Sequence, residues 1–573
     1  MTYDTASNTH LILRTLLNLT FCQNAPQVRT CGAFLFHCFF KNDNFTATNY
    51  SRPIVMRTVL HFVLLFFVAS LIYQAPLTAQ EVAPKREFRG VWFASVANID
   101  FPSSPGLSEV QFMGEWSEIL DVFKAAGFNA VIAQMRPAGD ALYNSKIAPR
   151  SKYLGATDAN ENFDPMTLMI VEAHRRNMEF HAWLNPYRAS MDTLVENLPS
   201  EHPYHSHPEW FLKYGGKLYF NPALPEVRNY ITEVVMEIVM EYDVDAIHFD
   251  DYFYPYPANG ETFPDAEDFT KYGYGFYNIE DWRRSNVDKL ISQVSQVIKN
   301  AAPDVKFGIS PFGVWRNSSA DPANGSLTRA SVSAYDDLYA DVRGWLEKGW
   351  IDYVAPQIYW NIGYQAADYQ ILLDWWQHNS FDRQLYTGQA AYKVNNNPEP
   401  AWADPGELLR QVRLNRSVPA VGGSVFYNAS SLLRNPLGVL DSLRNKYYAT
   451  PALPPEMPYL HLPVPLPPQL GKIKLKKGAV TFDCSLDETR NNVSYLVVYR
   501  FKDRVPGDFN NPANILTTVH IGPERKVTII DGGIVTGEIY TYAVSAVNRA
   551  HSESALSNWH AVQVRSKKLK RLK

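Results

Sequence analysis

The sequence predicts an α/β protein: a (β/α)8 TIM barrel followed by a small all-β, immunoglobulin-like sandwich. Two observations predict the barrel. Between residues 89 and 448 short apolar segments alternate with helix-like stretches, and each apolar segment ends in polar or aromatic side chains, as barrel strands do at an active site. A third observation predicts the sandwich. Beyond residue 472 the helical periodicity stops and short alternating runs are separated by turn residues.

The first strand is expected at 89–94 (RGVWFA), without the glycine-rich phosphate loop that a doubly wound sheet would place after it. The others are expected at 129–137, 179–188, 244–252, 306–315, 352–360, 384–392 and 422–428. Between them, residues 115–126 set Trp116, Ile119, Leu120 and Phe123 on one helical face. Residues 225–242 do the same with Val227, Ile231, Val234, Val235 and Ile238. The barrel is assigned to 87–448. Residues 449–471 hold eight prolines, the composition of an extended, semi-rigid linker across which few contacts should run. The sandwich is assigned to 472–565, with strands expected at 479–482, 494–501, 526–530 and 540–548. Its YTYAVSAVN followed by SALS resembles the last two strands of a fibronectin type III domain. From 566 to 573 runs a basic tail, expected to be frayed and solvated.

Residues 56–79 have the pattern of a secretory signal peptide. Met56 and Arg57 precede an apolar run from Val59 to Tyr73, and Leu77-Thr78-Ala79 precede Gln80. Met56 is therefore expected to be the true start, residues 1–55 a mis-assigned extension, and Gln80 the approximate mature N-terminus. The protein is expected to be exported, to the periplasm or envelope or beyond, with no stable membrane anchor after cleavage, because the apolar run is short for a span. Past the leader only Cys484 remains, so no internal disulfide is expected. Cys22, Cys31 and Cys38 lack the histidine spacing of a metal site. The formal charge of −4, from 54 basic and 58 acidic residues, sets up no field to attract nucleic acid. Hydrophobic residues at 46% and charged residues at 20% exclude wholesale disorder. The 13% aromatic content suits stacking on the C–H faces of sugar rings, and equally a large aromatic core.

Strand parity indicates what faces the barrel interior. It turns Ile132, Gln134 and Arg136 inward from strand two, and His181, Trp183 and Asn185 from strand three. Strand four contributes Ala246, His248, Asp250 and Tyr252, and strand six Gln357 and Tyr359. Asp250 ranks above Asp251 for chemistry, since consecutive strand residues face opposite ways unless the strand has ended. Glycosidic cleavage ordinarily uses two carboxyl groups, and no glutamate sits at a predicted strand end. The partner candidates are Asp251, Asp140, Asp336 and Asp337. His181 and His248 as metal ligands of a deacetylase form a weaker alternative, because isolated barrel histidines more often serve hydrogen bonding.

Six motifs then appear in order: RGVWFASV, QMRPAGDALYNS, FHAWLNPYR, HFDDYFYPYP, GISPFGVWR and VAPQIYW. Together they resemble the glycosyl hydrolase-like family 10 domain, also called domain of unknown function 187, from about Arg89 to Tyr427. The resemblance implies a (β/α)8 barrel and a bacterial envelope glycosidase, one branch of which cleaves peptidoglycan strands stripped of their peptides. DAIHFD also resembles the strand-four signature of family 18 chitinases, with His248 in place of an Asp and Tyr252 where those enzymes carry their catalytic Glu. The expectation is therefore an exported glycoside hydrolase acting on an N-acetylhexosamine-containing wall glycan, with no cofactor or metal. Asp250 would act with Asp251 or Asp140. Trp183, Trp315, Tyr359 and Trp360 would form a stacking floor, and Arg136, Gln134, Asn185, His181, His248, Tyr252 and Gln357 would contact the sugar. The rival expectation is a catalytically silent glycan-binding or scaffold protein, or a hydrolase of another N-acetylated polysaccharide.

Overall fold

The computed structural model describes residues 83–155, 163–486, 493–521 and 526–572. The expected leader at 56–79 and the extension before it lie outside the described residues.

Eight strands form the central barrel: β1 (Phe88–Phe93), β2 (Ala130–Arg136), β3 (Glu179–Leu184), β4 (Ala246–Phe249), β5 (Lys306–Ile309), β6 (Tyr353–Val354), β7 (Gln384–Ala390) and β8 (Val421–Tyr427). All neighbours pair in parallel, and β1 closes on β8, so the spatial order follows the chain. Alternation sorts the side chains into two cores. Val91, Val131, Phe180, Ile247 and Phe249 pack outward with the helices, while Trp92, Ile132, Trp183, Ala246 and Tyr353 pack together inside. The interior is tight enough to require glycine at position 308, where a Cβ would lie 1.9 Å from Cζ of Tyr353.

Helix α1 (Glu109–Ala125) starts a turn and a half before the expected residue 115, because Ser108 and Gln111 form a reciprocal capping box. Helix α2 (Pro165–Arg175) follows β2 and α3 (Pro225–Glu241) follows β3; each opens with proline, which supplies a preset φ and has no amide to leave unpaired. Between β3 and α3 the chain adds a small antiparallel sheet of Arg188–Ser190, Phe211–Tyr214 and Lys217–Phe220. No described helix is long and apolar enough to cross a membrane.

Two antiparallel sheets follow the barrel and share one core. Val480, Phe482 and Ile529 of the first face Leu496, Val498, Tyr542 and Val562 of the second. Two expectations are corrected here. The basic C-terminus is not frayed: Lys568–Leu572 pairs antiparallel with His560–Arg565, and Leu569 packs against the sandwich core. Its alternate lysines mark a charged edge strand, which resists pairing with other chains. The proline-rich segment is extended, yet it does not separate two independent bodies. Leu453 and Met457 are buried, Leu453 N–H donates to Lys85 O at 2.9 Å, and Met457 N–H donates to Ala550 O at 2.8 Å. Ala83–Lys573 is accordingly one compact unit. Proline removes amide donors from a segment but leaves its carbonyls and side chains free to be bonded and buried.

Candidate active site

The C-terminal ends of the strands form the face on which barrel enzymes carry their chemistry. β4 ends at Phe249, so Asp250 and Asp251 both lie beyond strand alternation. The ranking of one above the other by parity is thereby removed, and both side chains are buried at the barrel mouth.

Their surroundings differ. Asp250 accepts from three N–H donors: Asn185 Nδ2 to Oδ2 at 2.9 Å, Gln357 Nε2 to Oδ1 at 3.2 Å, and the Asp251 amide to Oδ1 at 2.9 Å. That set suits an acceptor-only carboxylate. Asp251 receives one donor, the Tyr256 hydroxyl on Oδ2, and its Oδ1 is buried with no partner among the described residues. Burial, with the Asp250 charge beside it, pushes the Asp251 carboxyl well above the usual carboxylate range despite the Tyr256 hydrogen bond. A protonated Asp251 beside an Asp250 that only accepts hydrogen bonds sets a proton donor next to an acceptor.

An amide relay fixes Asp250. The backbone amides of Ser95 and Val96 both donate to Gln134 Oε1 at 3.0 Å, so Gln134 Nε2 is turned to Asn185 Oδ1 at 2.7 Å. Asn185 must then offer Nδ2 to Asp250. Gln134 is thus one step removed from the mouth, and its contact to substrate is replaced by a contact to Asn185.

Half-buried aromatic side chains surround the pair. Tyr252 packs edge-on to Tyr256, Tyr256 to Phe312, and Phe312 to Trp360. On the other side Tyr359 stacks on Tyr427 at 6.0 Å between centroids, and Tyr392 meets both edge-on. Strand parity found Tyr252 and Tyr359, and Trp360 was expected in the stacking floor. Parity missed Tyr256 and Phe312, past the ends of β4 and β5, and Tyr392, in a 3-10 turn after β7, where alternation carries no information. Tyr427, the last residue of β8, was within reach of the same parity count.

Several expected sugar contacts are elsewhere. A register shift between Gln134 and Arg136 turns Arg136 off the inward face. Its buried guanidinium donates to the carbonyls of Asn185 and Pro186 and lies over Phe220 and Tyr230. Trp315 lies beyond the end of β5, stacks on Trp375 and donates to Asp341, so it belongs to the outer core. His181 and His248 are fully enclosed, each 2.8–2.9 Å from the Tyr353 hydroxyl, and His248 also lies 2.9 Å from Ser310 Oγ. Burial and the nearby His181 push His248 well below the usual imidazole range, which keeps it neutral. Trp183 packs beside them in the barrel interior, with Nε1 unpartnered among the described residues. Asp336 is held by Arg316 and Asp337 accepts from the Ser333 amide, both as loop supports. Asp140 lines a separate cavity with Ser151 and His202 and is not brought to the pair. Among the described residues no three His, Cys, Asp or Glu side chains converge as a metal site.

Residues 87–404 match the family described as Glycosyl hydrolase-like 10. The chain belongs to that family. Glycosyl hydrolase YngK of Bacillus subtilis (strain 168) is 43% identical over 88% of this chain and 99% of its own length. Glycosyl hydrolase DigH of Escherichia coli (strain K12) is 40% identical over 62% of this chain and 86% of its own. Among solved structures, the PgaB (BpsB) glycoside hydrolase domain from Bordetella bronchiseptica aligns with 64% of this chain and 99% of its own, at 14% identity and a TM-score of 0.42. As a member of the glycosyl hydrolase-like 10 family this protein is a glycoside hydrolase, and the Asp250–Asp251 pair is its candidate centre.

Proposed function

We propose that this hydrolase cleaves an N-acetylhexosamine-containing glycan of the bacterial wall, peptidoglycan strands lacking stem peptides, outside the cytoplasm. The observation that carries the reading is the pair of consecutive aspartates in contrasting environments, enclosed by tyrosines. Asp251, kept protonated by burial and by Asp250, gives its proton to the leaving glycosidic oxygen. Asp250 accepts the N–H of the sugar's 2-acetamido group and turns the acetamide carbonyl oxygen toward the anomeric carbon. The bond from that oxygen to the anomeric carbon forms as the glycosidic bond breaks. Water then opens the cyclic intermediate and returns a proton to Asp251, with net retention. An internal nucleophile of this kind replaces the second, separated carboxyl group that most glycosidases need. The aromatic rim supplies flat apolar surface for the sugar rings.

The leader expected at 56–79 supports action outside the cytoplasm, and the bacterial relatives support a bacterial glycan. The paired C-terminal sheets fit a fibronectin type III-like module attached to the barrel. The test is purified wall glycan offered with stem peptides, without them, and without its N-acetyl groups, with products read by mass spectrometry. Cleavage of the peptide-free, acetylated strands alone is expected. Equal cleavage of the deacetylated polymer would overturn the acetamide mechanism, and no cleavage of any wall glycan would overturn the substrate.

A further inference from the structure

Arg188 opens the small antiparallel sheet, just past the end of β3 and past Asn185, the residue that bonds Asp250. Its side chain is buried, with 6% of the residue exposed. Nε donates to Pro137 O at 2.7 Å, and the guanidinium lies against Tyr252, with Cζ 5.0 Å from the ring centre. Tyr252 follows Asp251 in the chain and forms one wall of the aromatic rim, and Tyr427 stands in the other wall. Burial raises the hydroxyls of both tyrosines. At each of them the Asp250 charge adds to the rise and the Arg188 charge opposes it. Arg188 and Asp250 therefore act on the same two hydroxyls at the mouth.

A buried charge is ordinarily paired. Arg188 has no carboxylate within ion-pair distance among the described residues, and its Nη1 and Nη2 have no hydrogen-bond partner there. Both nitrogens keep surface open to solvent. Arg136, also a buried guanidinium without a carboxylate, differs in this respect. Its unpartnered Nε and Nη2 are sealed from solvent beside Phe220 and Tyr230, out of reach of a ligand. The two aspartates of the mouth do not neutralise Arg188. Three N–H donors satisfy Asp250, while burial and Asp250 hold Asp251 toward its neutral form. The free fork of Nη1 and Nη2 has the planar geometry that binds a carboxylate through two parallel hydrogen bonds.

We propose that Arg188 is a specificity-determining residue that binds a carboxylate of the substrate: the lactyl carboxylate of a wall strand without stem peptides. In such a strand that carboxylate is free on each muramic acid sugar. A stem peptide converts it to an amide, which removes the charge and one acceptor oxygen and adds a chain beside the guanidinium. In an enclosed mouth the ion pair is screened less than at a surface, so losing it is felt more. This assignment rests on the wall-glycan reading and gives its preference for peptide-free strands a physical cause.

The test uses the full chain and two polymers made from one batch of peptide-free wall glycan. One is the free acid, and in the other carbodiimide coupling has converted the lactyl carboxylates to methylamides. The wild-type enzyme should favour the free acid about 30-fold in kcat/KM, roughly the worth of a charge-assisted, two-bond pair. Arg188→Met keeps an unbranched apolar stem and removes the charge. In that variant the ratio should fall to about one, chiefly through a higher KM for the free acid. A side chain that only supported the fold would weaken cleavage of both polymers alike, so a folded variant with the wild-type ratio would overturn the assignment. Equal cleavage of both polymers by the wild-type enzyme would overturn it as well, and that measurement needs no variant to fold. A wild-type enzyme that cleaves neither polymer would overturn the wall-glycan reading itself.

Discussion

Asn185 Nδ2 donates to Asp250 Oδ2 at 2.9 Å, and the direction of that bond is imposed from behind by Gln134. Gln134→Glu keeps an oxygen for the Ser95 and Val96 amides but replaces the donor that faces Asn185 with an acceptor. Asn185 must then turn over and present its oxygen to Asp250. Turnover is expected to fall about tenfold at an unchanged melting temperature, roughly the worth of one charge-assisted hydrogen bond. Wild-type turnover in a folded variant would remove Gln134 from any positioning role.

Asp251→Asn removes the proposed proton donor. Turnover is expected to fall by at least about 10²-fold with KM little changed. The wild-type enzyme should lose activity on the alkaline side, because a raised Asp251 is an acid only while protonated. Stability should fall in the same direction. A carboxyl whose folded value lies above its unfolded one contributes stability fully below the unfolded value, and that contribution is lost as pH rises through the folded value. Asn does not titrate, so the variant's melting temperature relative to wild type should improve from pH 4 to pH 8. Wild-type turnover in this variant would sink the assignment of the acid.

The C-terminal sheets plug the barrel floor. Lys306 and Glu179 form an ion pair there, and His551, from the loop before the last hairpin, places Nε2 3.0 Å from Glu179 Oε1. Burial opposes the charged form of Glu179, but Lys306 and His551 outweigh it and hold the carboxyl well below its usual range. Deleting residues 472–573 should therefore destabilise the barrel instead of releasing an intact enzyme, seen as a lower melting temperature or insoluble product. Lys306→Met should cost about 3–5 kcal/mol in chemical denaturation, the usual cost of orphaning a buried charge. A truncated barrel that melts like the full chain would show the plug to be dispensable.

The aromatic rim offers a separate test. Tyr359 stacks on Tyr427 beside Asp250, and its hydroxyl is not a partner of the carboxyl pair. Tyr359→Ala should raise KM for wall glycan about tenfold, the loss of one stacking surface worth about 0.5–1.5 kcal/mol plus buried area, with a smaller effect on kcat. A fall in kcat alone would move Tyr359 from binding to chemistry.

Much of this arrangement is legible in the chain. Strand periodicity places all eight barrel strands, and parity separates Ile247 and Phe249 from Ala246 and His248, because alternation is a local property of extended backbone. Asn185 and Gln357, which the same count turned inward, do reach Asp250, although both stand past the ends of β3 and β6.

Where regular backbone ends, local rules stop working. The bulge after Gln134 redirects Arg136, the end of β5 at Ile309 frees Trp315 to join the outer core, and the end of β4 at Phe249 brings Asp251 to the mouth beside Asp250. The sequence by itself determined the barrel, its inward face and the strand that carries the aspartates, since each depends on residue spacing within one segment. Only the tertiary structure decided which carboxyl is held protonated, that Asp140 stands apart, and that His551 closes the floor. Those depend on burial and on charges from segments far apart in the chain, which spacing does not encode.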